Sequence, residues 1–129
     1  MSWTYKISTG QLFDPHHVLV GIGFSGQKEC LNNPNKTDVS HLGPLPIGKY
    51  TIEQERVSKT LGPVVIDLTP DKDNEMFGRS LFRMHGVSKD NPLTPENETL
   101  LSSHGCICMN RIIRNMVSKS EDRELEVIA

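Results

Sequence analysis

Residues 2–8 (SWTYKIS) alternate large and polar side chains, the period of a strand with one buried face. Thr9-Gly10 predicts a turn into a second short strand over 11–13. The run 18–24 (VLVGIGF) predicts a buried strand, with two glycines where another part of the chain packs close to the backbone. Asn32-Asn33-Pro34, Gly43-Pro44, Pro46 and Gly48 then mark 32–48 as a long surface loop. Alternation resumes over 49–56 around Tyr50 and Ile52, and 64–68, 80–84 and 125–128 read as further strands, with a loop over 70–78. Residues 86–103 carry Pro92 and Pro95 and no period, which predicts a loop or at most a short helical turn. One helix is predicted, roughly 110–119, with Asn110 able to cap it and Ile112, Ile113, Met116 and Val117 on one face. Many short strands and one late helix predict a mainly-β sandwich or barrel.

The 129 residues are read as one domain, 1–129, able to bury roughly two thirds of the unfolded surface without a metal or disulfide. Aromatics are only 5%, so the core is built mostly from Ile, Val, Leu and Met. Fourteen Lys and Arg against sixteen Asp and Glu leave a net charge of −2, which provides no electrostatic footprint for nucleic acid or an anionic membrane. No apolar run approaches the ~20 residues of a membrane span. The first ten residues lack the basic-then-apolar pattern of a signal peptide, which predicts synthesis in the cytoplasm and any export by another route. Three cysteines, Cys30, Cys106 and Cys108, argue against a disulfide framework, which would strand one thiol. At least one free thiol needs a role.

The densest reactive cluster is Ser102-Ser103-His104-Gly105-Cys106-Ile107-Cys108, with His85-Gly86 ending an upstream strand. A cysteine nucleophile works as thiolate and needs a nearby imidazole, and His85 and His104 are the two bases on offer to Cys106. Gly105 lets the backbone approach a substrate, and the N–H groups around Gly105 and Cys106 are candidates for an oxyanion hole. The small residues before the cysteine, Ser103 among them, leave space for a bulky acyl group. All five histidines precede Cys106, which excludes a papain-like order with the base downstream. The alternative is a zinc site from His104, Cys106, Cys108 and His85, disfavoured because structural sites space their cysteines two to four residues apart. Cys30 and Cys108 read as core residues, and His16, His17 and His41 as surface residues.

His85, seventeen residues, then Ser103-His104-Gly105-Cys106, one apolar residue and a nearby Asn110 resembles the signature of L,D-transpeptidases of the YkuD type, cysteine enzymes that cross-link peptidoglycan. Pro46-Ile47-Gly48-Lys49-Tyr50 is similar to that family's Thr-Pro-x-Gly-x-aromatic lead into a strand, with Leu45 in place of the Thr. Phe24-Ser25-Gly26, Asn32-Asn33-Pro34, Gly43-Pro44-Leu45 and Gly78-Arg79-Ser80-Leu81-Phe82-Arg83-Met84-His85-Gly86 resemble one branch more closely: the L,D-transpeptidase-like effectors delivered by type VI secretion systems. The resemblance spans about residues 24–107.

The resemblance implies an L,D-transpeptidase-like β fold, a Cys106 nucleophile and a His85 base, with a backbone carbonyl such as that of Gly86 orienting the imidazole. It implies acyl transfer on peptidoglycan stem peptides in the periplasm of a target bacterium, as L,D-carboxypeptidase or D-amino-acid exchange. The cargo would travel through a secretion apparatus and meet a cognate immunity protein; no cofactor, metal, nucleic acid or membrane insertion is implied. Many family members carry Arg two residues after the nucleophile, where this chain has Cys108, so substrate anchoring falls to Arg83, Arg111 or Arg79. The alternatives are a non-catalytic β module that binds cell-wall peptide, and a housekeeping L,D-transpeptidase domain.

Overall fold

A computed structural model describes residues 1–59, 61–86 and 102–129, with 102 and 103 described in backbone alone. Among them lie β1 (Trp3–Lys6), β2 (Gln11–Phe13), β3 (Leu19–Ile22), β4 (Phe24–Gln27), β5 (Gly48–Ile52), β6 (Arg56–Ser58), β7 (Gly62–Pro70), β8 (Phe82–His85), β9 (Ser102–Cys108), α1 (Arg111–Lys119) and β10 (Glu124–Ile128). The strands form one sheet in the order β3-β2-β1-β10-β5-β7-β8-β9-β4, with β6 paired to β7 beside this path. The fold is mainly β with one short helix, as the spacing predicts, and the sheet bends into a nearly closed barrel.

The two ends of the path, β3 and β4, are consecutive in the chain and joined by Gly23 alone. The Gly23 N–H donates to the Gly10 carbonyl at 2.8 Å, and a side chain at Gly23 would collide with the carbonyl of Cys108. Only glycine fits this corner. The expected strand over 18–24 is therefore two strands. Its burial is also corrected: Val18, Leu19 and Ile22 are exposed, because β3 sits at the sheet's end and, among the described strands, pairs with β2 alone. The close approach inferred from the glycines is present, with Ile113 of the helix packed over Gly21.

Tyr5, Ile7, Leu12, Leu45, Ile66, Met84 and Ile107 are fully buried in one core. The helix adds Ile113 and Val117, while Ile112 is 74% exposed and Met116 43%. The predicted four-residue apolar face is thus too wide. Positions 113 and 117 stack on one line of the helix, and 112 and 116 are turned away from it by one residue's rotation. Asn110 caps the helix as predicted, its side chain accepting the Ile113 N–H at 2.9 Å. The strand expected over 49–56 divides after Ile52, because Arg123 draws the carbonyls of Ile52 (3.1 Å) and Glu53 (2.7 Å) out toward the helix end. Of the loop expected over 86–103, residues 87–101 lie outside the described residues and 102–103 already belong to β9.

Among the described residues one core polar group lacks a partner. The Tyr5 hydroxyl is buried without a hydrogen bond, and burial pushes its pKa well above the usual range. Replacing Tyr5 by Phe removes the desolvation cost and nothing else of the packing, so Tyr5→Phe raises stability by about 1 kcal/mol. A thermal melt reads this as a midpoint roughly 4 °C higher; a lower midpoint contradicts it.

Candidate active site

Strand alternation decides which side chains meet at the β8–β9 pair. Phe82 and Met84 of β8 and Ile107 of β9 point into the core, so Arg83 and His85 share the opposite face with His104, Cys106 and Cys108. The two strands run parallel, with Met84 opposite Ile107 and His85 opposite Cys108. Residues twenty-one positions apart are thereby placed on neighbouring strands of one sheet, as expected for His85 and Cys106. His85, Cys106, His104, Arg79 and Arg83 line one cleft of about 620 Å³. His41, read as a surface residue, is exposed and also on this cleft, its ring edge-on to His104 with centroids 5.8 Å apart.

The imidazole of His85 is oriented through Nδ1, which lies 2.8 Å from the Gly86 carbonyl oxygen. A carbonyl only accepts, so this contact assigns the proton to Nδ1 and leaves Nε2 as the accepting nitrogen. Cys108 Sγ stands 3.9 Å from the same Nδ1. This is a contact the spacing did not suggest. Cys108 is 3% exposed, does not line the cleft, and burial pushes its thiol up to about 12, with Cys106 nearby adding to the rise. It is a neutral thiol packed on the far side of the ring, and Cys106 is the thiol that faces the cleft.

Burial raises the Cys106 pKa above the ordinary thiol value, opposed by a backbone hydrogen bond from Arg83 and by the charges of Arg83 and Arg79. Burial lowers that of His85, opposed by the Gly86 carbonyl and reinforced by the charges of Arg114 and Arg83. Both shifts favour the uncharged forms, so the resting pair is thiol and neutral imidazole, not a preformed thiolate–imidazolium pair. Alkylation of Cys106 by iodoacetamide should accordingly be slow at pH 7 and climb through the alkaline range. A rate already at its plateau below pH 7 contradicts this.

The strand carrying Cys106 is supported from behind. Ser25 of β4 is fully buried; its hydroxyl donates to the Gly105 carbonyl at 2.8 Å and accepts the Leu45 N–H at 3.2 Å. Three segments that carry the resemblance (24–26, 43–45 and 103–106) are joined by this one hydroxyl. Gly105 has φ +118, and a Cβ there would meet Phe82 Cε1 at 2.5 Å and Arg79 Nη2 at 2.7 Å. Glycine is required for both conformation and space.

The other expected positions separate. The Arg79 guanidinium donates to the carbonyls of Thr37 (2.5 Å), Pro44 (2.7 Å), Gly43 (2.9 Å) and His104 (3.1 Å), and lies over the Phe82 ring. It clamps the 37–44 loop to β9, a tie that sequence alone did not reveal. Arg83 pairs with Asp67 at 3.4 Å. Arg111 is not brought to the cleft: it is exposed and lines a second hollow of about 300 Å³ with Gly86, Cys108 and Arg114. The reason is its place in the first turn of α1, on the Gly86 side of β8. The side chain of Ser103 lies outside the described residues. Among the described residues no group of three or more His, Cys, Asp or Glu is arranged to hold a metal, and no helix is long and apolar enough to cross a membrane.

Sequence reading also missed Ser25 and Arg114. Phe24-Ser25-Gly26 carried the resemblance without a role for its hydroxyl, and the signal for Arg114 was a charge set between Ile113 and Val117 on the helix's buried side. Compared with known families, residues 21–128 match the Tlde1 domain. Neither the curated proteins nor the solved structures gave a match.

Proposed function

The chain belongs to the Tlde1 domain family, the L,D-transpeptidase-like effectors of type VI secretion, and from that premise we propose that it is a cysteine acyl-transfer enzyme acting on peptidoglycan stem peptides in the target cell's periplasm. The observation that carries this reading is the cleft itself: Cys106 opens onto it beside His85, whose Nδ1 is held by the Gly86 carbonyl.

In the proposed mechanism His85 Nε2 takes the Cys106 proton as Sγ attacks the carbonyl of the penultimate stem residue. The C–N bond to the terminal D-amino acid breaks, and the imidazolium returns the proton to the leaving amine. The oxyanion is held by backbone N–H groups around Gly105 and Cys106, whose shared peptide is oriented by the bond from Ser25 to the Gly105 carbonyl. A thioester remains. Water resolves it to a carboxylate, a D-amino acid gives exchange, and another stem gives a cross-link. Because neither partner is charged at rest, proton transfer accompanies attack. Arg83 is the cationic side chain of the cleft best suited to meet a substrate carboxylate, since Arg79 is committed to four carbonyls. A cognate immunity protein would act by plugging this cleft.

The test places the protein in the periplasm of a susceptible bacterium with a fused signal peptide, with Cys106→Ala as control, and reads muropeptides by mass spectrometry. Tetrapeptides should fall in favour of tripeptides or D-amino-acid-exchanged stems, only with Cys106 present. An unchanged muropeptide profile overturns the reading and favours a module that binds cell-wall peptide without turning it over.

A further inference from the structure

A buried arginine lies against Gly86, the residue whose carbonyl holds the imidazole. Arg114, on the face of α1 turned to the sheet, is 7% exposed, and among the described residues no carboxylate pairs with it. Its Nε donates to the Met109 carbonyl at 3.0 Å, and its Nη1 to the carbonyls of Pro63 and Val64, both at 2.8 Å. Nη2 approaches Gly86 so closely that a Cβ there would come within 2.6 Å of it. The two residues so braced are the ones that fix His85. Gly86 offers its carbonyl to Nδ1 at 2.8 Å, and the Met109 N–H donates to the His85 carbonyl at 2.9 Å.

A buried charge is costly where, as among the described residues here, only carbonyls face it, and a methionine or leucine would close this corner at lower cost. The carbonyl dipoles solvate the guanidinium without cancelling its charge. We propose that Arg114 is a positioning residue for His85, bracing Gly86 and Met109 so that the ring keeps Nδ1 on its carbonyl and Nε2 toward the cleft. This rests on the reading of His85 as the base.

The charge has a second effect, since it disfavours the imidazolium and so supports the low pKa of His85. The other groups around the ring are Arg83 on its own strand, Asp67 of β7 behind Arg83, and Cys106 and Cys108 of β9. Arg79, His41 and His104 stand along the cleft, and Arg111 on the Gly86 side. Of these, Arg83 shares the sign and effect of Arg114, but its partner Asp67 offsets it.

The experiment follows the imidazole by 1H–15N NMR, without substrate, in the whole protein. Wild type should titrate below the ordinary 6.5 and show the Nδ1–H tautomer. Arg114→Met should move the midpoint up and mix the tautomers. Arg114→Lys, which keeps the charge but cannot reach three carbonyls, should keep the midpoint low while the tautomers mix. Gly86→Ala keeps the charge and pushes Nη2 away, and should also mix the tautomers; it decides the matter if Arg114→Met does not fold. A folded Arg114→Met or Gly86→Ala with wild-type midpoint and tautomer overturns the proposal, as does an Nε2–H tautomer in wild type. A protein with the expected spectra but no effect on muropeptides sinks the functional reading and leaves this one standing.

Discussion

Cys106→Ala and His85→Ala should each lower release of the terminal D-amino acid from a stem tetrapeptide by at least about a thousandfold, and the double variant by no more than either alone. A nucleophile and its base act as one unit, so the second deletion removes nothing that the first has left. The structure makes the expectation sharper for this chain than for an ion-pair enzyme. With Cys106 raised and His85 lowered, the thiolate is scarce at neutral pH, and its formation depends on the imidazole during the attack. His104→Ala should cost far less, since that side chain is exposed on the cleft rim against His41. Rates of amino-acid release by purified variants decide it. Near-wild-type turnover in His85→Ala, together with loss in His104→Ala, exchanges the roles of the two histidines.

Arg79→Met should have the largest effect on stability. It leaves the carbonyls of Thr37, Gly43, Pro44 and His104 without their shared donor and frees the 37–44 loop from β9. Hydrogen bonds from a charged donor contribute about 1.5–3 kcal/mol each and do not add fully, so a loss of about 3–5 kcal/mol is expected. That is a large part of a single domain's stability and lowers the melting midpoint by roughly 10–20 °C. Differential scanning calorimetry measures it. A midpoint within a few degrees of wild type, with weakened substrate binding, would instead return Arg79 to the role of substrate anchor.

The histidine and thiol facing the cleft were legible because they lie in a compact pattern whose chemistry is local: a thiol needs an imidazole, and His85 and His104 were the candidates within it. Other strands were legible where alternation is strict, as in 2–8, or where an apolar run is short, as in 64–68. What escaped has one physical character. Ser25, Arg79 and Arg114 act on backbone carbonyls of distant segments, and a carbonyl has no letter in the sequence. Cys108 against His85 follows from a parallel register, which no local period encodes. The exposed β3 escaped for a related reason, since an apolar run does not say whether its strand lies at the middle or the end of a sheet.

The place of β10 also has a consequence for when the molecule can form. Among the described strands it lies between β1 and β5 and links the first three to the rest of the hydrogen-bonded path, pairing Leu125 with Trp3 on one side and with Tyr50 on the other. A ribosome that has not yet delivered residue 128 therefore holds two ribbons that meet at the Gly23 corner, one with an open edge at β1 and the other at β5. The cleft strands can pair early, but the barrel around them closes last, through its most distant contacts and hence slowly. A nascent or truncated chain ending before Glu124 exposes both edges to aggregation and proteolysis.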